Sequence, residues 1–218
     1  LLGIQTISLI FYFTLKNKNI KLLFVSLFIF FGIFYLTFFN NFILVNFKEI
    51  APFRIYTIFE TILLSSFFFL VFPKRIKIFL LSIVIPFLLY AFYDLKNSEL
   101  NQFDSASTAI ESLIFITFSI IYFYERISTM EGYVYDSPYF WIVFGIIIYF
   151  SANFFGFIVA RDSFKQVIFE QNFKLILGIS SIIQNILFFI AFIVAKQQYI
   201  PAKKGSLSTK KPQLKSKP

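Results

Sequence analysis

The 218-residue chain contains no cysteine and no histidine, and only one Met and one Trp. Without cysteine it can form no disulfide and offers no thiolate to a metal. Without histidine it lacks the commonest metal ligand and the usual general base near neutral pH. No phosphate-binding glycine loop, kinase or hydrolase motif, or zinc motif occurs in it. The sequence therefore predicts no catalytic residue, no metal and no cofactor, and a protein that is not an enzyme. Charge is also scarce, at 14% of residues, where an average soluble domain carries about 25%.

What fills the chain instead is apolar: 58% hydrophobic and 22% aromatic residues, with a mean hydropathy of +0.79. The apolar residues fall into blocks of about 15 to 23, the length a helix needs to cross a hydrocarbon core of about 30 Å. Seven such blocks are legible, at 1–15, 22–39, 53–72, 78–93, 105–124, 139–160 and 173–195. Strands are excluded because the runs are apolar on both parities, where a barrel strand alternates over about 10 residues. The expected fold is an all-α, polytopic bundle of seven transmembrane helices over 1–195, followed by a basic tail at 196–218. The first block has its positive charge, "KNKNIK", after the apolar run rather than before it, so it reads as a membrane helix and not as a cleaved leader.

The formal net charge is +9, but seven lysines sit in the tail with no acid among them, leaving +2 for the rest. With Pro201, Gly205 and Pro212 and little to bury, the tail is expected to be disordered. It has one aromatic, Tyr199, to stack on bases, so Lys203, Lys204, Lys210 and Lys211 suit an anionic lipid surface and not nucleic acid. Placing the C-terminus inside puts 14 Lys and Arg on that side and 6 on the other. The positive-inside rule then gives N-terminus out and C-terminus cytoplasmic. One loop opposes this, "ERISTMEGYVYDSP", with one Arg and three acids on the inner side.

The connections carry their own signals. "NNFILVNFKEIAPF" is long and half apolar and suits an interfacial segment. Ser137 and Pro138 are suited to the cap and first turn of the sixth helix. Pro86 should kink the fourth. Tyr122, Tyr124, Tyr133, Tyr135, Tyr139 and Trp141 gather where an aromatic belt would lie.

Two carboxylates stand inside apolar runs, Glu60 in "TIFETILL" and Glu111 in "TAIESLIF". Each sits three residues after a Thr, which is the spacing of a capping box at a helix start. The competing reading is a buried functional acid, because a helix beginning near Pro52 or Ser105 carries each Glu roughly 10 Å below its start. Tyr56 lies one turn above Glu60, and Ser107 and Thr108 lie above Glu111. The sixth block adds Tyr149 and Asn153, and the seventh adds Gln184 and Asn185. With alternating helix directions these residues can converge on one outward-facing pocket, the candidate ligand site. If both acids share it, the pocket holds a proton or a cationic group. Asn153, Gln184 and Asn185 serve equally well as hydrogen-bond links between helices. The 51-residue offset between the two Glu motifs fits a parallel repeat or chance similarity.

The stretches "IYTIFETIL", "SPYFWIVFGIIIYFSANFFGF" and "SIIQNILFFIAFIVAKQQ" resemble those of uncharacterised seven-helix inner-membrane proteins of Bacteroidota. That resemblance implies a multi-pass protein of a bacterial inner membrane and assigns no residue a role. Three functions stay open: a sensory or signalling module with a cytoplasmic partner, a small proton- or cation-coupled transporter, and an accessory subunit of a membrane complex. For the tail, a peptide of residues 196–218 is expected to bind anionic vesicles and to leave them at high salt, as co-sedimentation would record.

Overall fold

The computed structural model describes residues 6, 10, 12, 13, 20–42, 51–97, 105–129, 133–163 and 167–205. Among them the regular structure is helical, with no strand. The helices are α1 (Ile20–Phe42), α2 (Ala51–Val71), α3 (Lys74–Asn97), α4 (Ser105–Ser128), α5 (Pro138–Ser163) and α6 (Val167–Gly205), with a single 3-10 turn at Val134–Asp136 before α5. Five of them, α2 to α6, contain stretches long and apolar enough to cross a membrane. The 23 residues of α1 reach about 34 Å at 1.5 Å per residue. Of the expected first segment, Thr6, Ile10, Tyr12 and Phe13 are described, and all four are helical. The rest of 1–15 lies outside the described residues.

Helices outlast their apolar blocks wherever polar residues of good propensity continue them. Lys74 to Lys77 precede the apolar run of α3 and belong to its first turn. Likewise α6 does not stop at Ala195 but continues through Gly205, where the sequence reading expects a disordered tail. Lys196, Gln197, Gln198, Ala202, Lys203 and Lys204 are all good helix formers, and glycine ends the run. Residues 206–218, with Lys210 and Lys211, lie outside the described residues, as do 43–50 of the expected interfacial segment. Pro138 is the first residue of α5, with the Ser137 carbonyl accepting from the Phe140 amide at 3.1 Å. The proline has no amide to leave unpaired there. Through Pro86, α3 runs as one helix.

Successive helices alternate in direction, so side chains sort to two ends. Lys21, Lys74, Arg75, Lys77, Arg126 and Lys196 lie at one end, together with Tyr133, Tyr135 and Trp141. There the Trp141 indole donates to the Tyr135 carbonyl at 2.9 Å, and the Gln198 amide donates to the Asp136 carbonyl, tying α6 to the 3-10 turn. The opposite end carries Arg54 and Lys96, and Arg54 pairs with Asp94 at 3.6 Å.

α2 is central, packing on α1, α3 and α4, while α5 and α6 pair closely and α5 also packs on α4. Half of the α2 span is buried, against 22% for α3, which lies at the periphery. Exposed Ile78, Leu89, Phe92 and Phe155 give the bundle an outer face that only lipid solvates well. The interior is held by phenylalanine. Phe68 of α2 meets Phe115 and Phe118 of α4, Phe115 meets Phe150 of α5 at 4.9 Å between centroids, and Phe28 of α1 meets Phe188 of α6. Such pairs contribute about 0.5–1.5 kcal/mol each beyond area burial. The α5–α6 approach depends on Gly145, where an added Cβ would lie 3.2 Å from the Phe188 ring and 3.4 Å from the Gln184 carbonyl. Gly178 faces open space. Gly145→Leu is therefore expected to destabilise the bundle by about 1–3 kcal/mol through overpacking, and Gly178→Leu to leave it near wild type. Reversible unfolding in mixed micelles separates the two.

Candidate functional site

The capping-box reading of both Glu motifs fails in the structure. α2 begins at Ala51 and α4 at Ser105, so Thr57 and Thr108 stand inside their helices with no free amide to cap. Glu60 lies six residues beyond Arg54, and Glu111 six beyond Ser105, about 9 Å along in each case. Both are buried, Glu60 at 3% exposure and Glu111 at 0%.

α2 and α4 run in the same direction and place the two Glu motifs side by side. The Thr61 hydroxyl of α2 donates to Glu111 Oε1 of α4 at 2.6 Å. Glu111 is thus seated against the residue that follows Glu60 in sequence. The equivalent residue of the second motif, Ser112, turns back and donates to the Thr108 carbonyl of its own helix at 2.8 Å. The motifs match in sequence but not in bonding. Glu60 Oε1 has no hydrogen-bond partner among the described residues, although its surroundings exclude water.

A second polar contact joins α5 and α6, where the Ser180 hydroxyl donates to Asn153 Oδ1 at 3.2 Å. One turn further along α6, Gln184 is buried, and its Nε2 has no partner among the described residues. Asn185 is buried too, but its amide donates to the Ser181 carbonyl of its own helix at 2.7 Å. Tyr56 and Tyr149 are half-buried; the Tyr56 ring stacks on Phe31 of α1, and Tyr149 meets Phe150 edge-on. Sequence reasoning passed over Thr61, Ser180 and the Arg54–Asp94 pair. Thr61 carried a signal, since a hydroxyl follows the Glu in both motifs.

These groups share one level of the bundle. Arg54, Thr57, Glu60 and Thr61 occupy the first half of α2; Ser107, Thr108, Glu111 and Ser112 the first half of α4. Ser180, Gln184 and Asn185 precede Leu187, Phe188, Ala191 and Phe192 in α6, while Asn153 follows Ile142, Val143, Ile146 and Phe150 in α5. The buried carboxylates and amides therefore lie toward the Arg54–Asp94 end, and most of the buried rings toward the basic end. Buried Ser26, Ser65 and Ser119 fall in the apolar half; Ser26 and Ser119 each donate to a carbonyl of their own helix, while Ser65 Oγ has no hydrogen-bond partner among the described residues. Above the acids, Arg54 is 5% exposed and also donates to the Asp94 carbonyl at 3.4 Å, closing α2 onto α3.

No family model matches the chain, and neither a curated protein nor a solved structure does. The site is accordingly read from its own chemistry. Thr61→Val is expected to lower unfolding stability by about 1–2 kcal/mol by removing the hydroxyl from Glu111. Thr61→Ser should retain most of it, and Ser112→Ala should change it by under about 0.5 kcal/mol, as equilibrium unfolding of the three variants will show.

Proposed function

We propose that the chain is a seven-helix protein of a bacterial inner (cytoplasmic) membrane, with its basic end in the cytoplasm, acting as a sensory module that binds a proton or a cationic ligand at Glu60 and Glu111. The division of the buried interior carries this reading. The buried carboxylates and amides occupy the half toward the Arg54–Asp94 end, and Phe67, Phe68, Phe115, Phe118, Phe150, Phe188 and Phe192 lie in the half beneath. A site of this kind lies beneath the Arg54–Asp94 pair and is floored by packed rings.

An acceptor in low dielectric with no donor is costly, and an ionised carboxylate only accepts. A proton or an ammonium-like group supplies a donor to Glu60 Oε1, as the Thr61 hydroxyl does to Glu111 Oε1. The excess of Lys and Arg at the opposite end supports a cytoplasmic placement of that end. The seventh span is supported by the helical positions in 1–15 and by Tyr12, which packs against Phe192 with ring centroids 6.1 Å apart. A ligand held at one end of the bundle can bias how the helices pack at the other, which is what a cytoplasmic signalling partner would read.

The test uses purified, reconstituted protein and a panel of monovalent cations and primary amines. Wild type is expected to be thermally stabilised by one class of cation, and Glu60→Gln to bind it about tenfold more weakly or worse. Stabilisation without counterflow across proteoliposomes supports the sensory reading. Counterflow that disappears in Glu60→Gln replaces it with a cation-coupled transporter. If Glu60→Gln and Glu111→Gln behave as wild type throughout and the chain co-purifies at fixed stoichiometry with other membrane proteins, it is an accessory subunit.

A further inference from the structure

Ser65 of α2 is 6% exposed, and its hydroxyl has no hydrogen-bond partner among the described residues. Other serines of the bundle behave differently. Ser66, the next residue, donates to the Ile62 carbonyl at 2.7 Å, and Ser26, Ser112 and Ser119 likewise donate to carbonyls of their own helices. A serine inside a helix has such a carbonyl within reach three or four residues back, and Ser65 does not take it. Its hydroxyl is turned off its own helix into surroundings closed to water, where an unmet polar group is costly.

The contacts on either side of Ser65 fix what it faces. Thr61, one turn earlier, donates to Glu111 Oε1 of α4 at 2.6 Å, and Phe68, one turn later, packs on Phe115 and Phe118 of α4. Residues 61, 65 and 68 share one face of a helix, so Ser65 stands at the α2–α4 contact, between Glu111 and the rings. Two buried atoms of α2 with unused lone pairs therefore lie within about a turn of Thr61, namely Glu60 Oε1 and Ser65 Oγ. Thr61 Oγ1 gives its hydrogen to Glu111 and keeps its own lone pairs. A proton on Glu60 would leave Ser65 as it is. A carbon-bearing amine would need volume beside its ammonium group, yet Leu64, Phe67, Phe68 and Phe115, the neighbours of these oxygens along α2 and α4, are all fully buried. Carboxylate and hydroxyl oxygens in a tight space suit a small, hard cation.

We propose that the cation held at Glu60 and Glu111 is a dehydrated alkali-metal ion of sodium's size, coordinated in addition by the hydroxyl oxygens of Thr61 and Ser65. This rests on the reading of the two acids as a cation site, and it adds the class of ion and Ser65 as a ligand. With a lone pair on the ion, the Ser65 hydroxyl keeps its hydrogen for a carboxylate or for a carbonyl of its own helix. An ion so placed ties α2 to α4 where the polar groups give way to the rings.

The experiment is thermal unfolding of the full-length chain in nanodiscs at fixed pH, titrated with sodium, potassium or methylammonium chloride, with ionic strength held by N-methylglucamine chloride. Sodium should raise the wild-type midpoint saturably, and potassium and methylammonium should need about tenfold higher concentrations. Ser65→Ala should raise the half-saturating sodium concentration about tenfold, while its midpoint without sodium stays at or above wild type, because the variant removes an unpaired hydroxyl. A merely structural role would lower that midpoint instead. Ser66→Ala should match wild type throughout. Equal sodium half-saturation in wild type and Ser65→Ala overturns the proposal, as does stabilisation by methylammonium with none by sodium, a result that leaves the acids as a cation site. Response to no cation, with Glu60→Gln like wild type, overturns both readings.

Discussion

Inside hydrocarbon a polar group must find its partner within the protein, and this constraint governs the molecule at every scale. It dictates helices, because only a helix satisfies its backbone within one segment. It also dictates how buried hydroxyls behave: Ser26, Ser112 and Ser119 each donate to a carbonyl of their own helix. A hydroxyl has this local outlet three or four residues back, so it can be buried without any partner on another helix. A carboxylate has no such outlet, since backbone carbonyls cannot donate to it. Glu111 must therefore recruit a donor from elsewhere, and the Thr61 hydroxyl of α2 is that donor. The α2–α4 contact is in this sense required by the acid, and the parallel direction of the two helices brings the two motifs to the same level.

The axial division of the interior follows from the same rule. Phenylalanine needs no hydrogen bond and fills volume efficiently, so rings can pack wherever polar groups are absent. Their concentration in the half toward the basic end leaves the buried acids and amides together in the other. A pathway across a bilayer needs polar partners at every depth, because each stripped charge must be solvated at each step. An interior with polar groups at one level and packed rings below it meets that need only at the upper level. Under the function proposed above, the arrangement suits binding more readily than passage.

Much of this was legible in the sequence, for identifiable reasons. Block length and composition sufficed for helices and for the order of the elements, since hydrocarbon admits few alternatives. The depth of Glu60 and Glu111 was also legible, because a helix starting at Thr57 would have been too short to span. What could not be read was pairing across helices. Nothing in "TIFET" says that Thr61 and not Ser112 leaves its own helix, and nothing in a loop-edge Arg54 announces that it is buried against Asp94. Those outcomes depend on the rotation of each helix about its axis, which hydropathy leaves undetermined when a segment is apolar on all sides. Helix ends were misjudged for a related reason: hydropathy marks where the membrane stops, and α6 continues as a helix through lysines and glutamines that are good helix formers in water.

The mismatch between the two Glu motifs bears on how a ligand would be felt. Had Ser112 mirrored Thr61, each acid would be completed by the opposite helix, and the pair would be a closed structural link. Instead Ser112 is committed to Thr108, and Glu60 Oε1 is left as a buried acceptor without a hydrogen bond among the described residues. A donor arriving at Glu60 Oε1 adds an interaction the resting bundle does not supply. Binding free energy concentrated on one helix is what shifts that helix relative to its neighbours. Here that helix is α2, which packs on α1, α3 and α4 together, so any displacement of it is shared by three others. Through Phe68 and its contacts with Phe115 and Phe118, that displacement reaches the packed rings of the neighbouring helix.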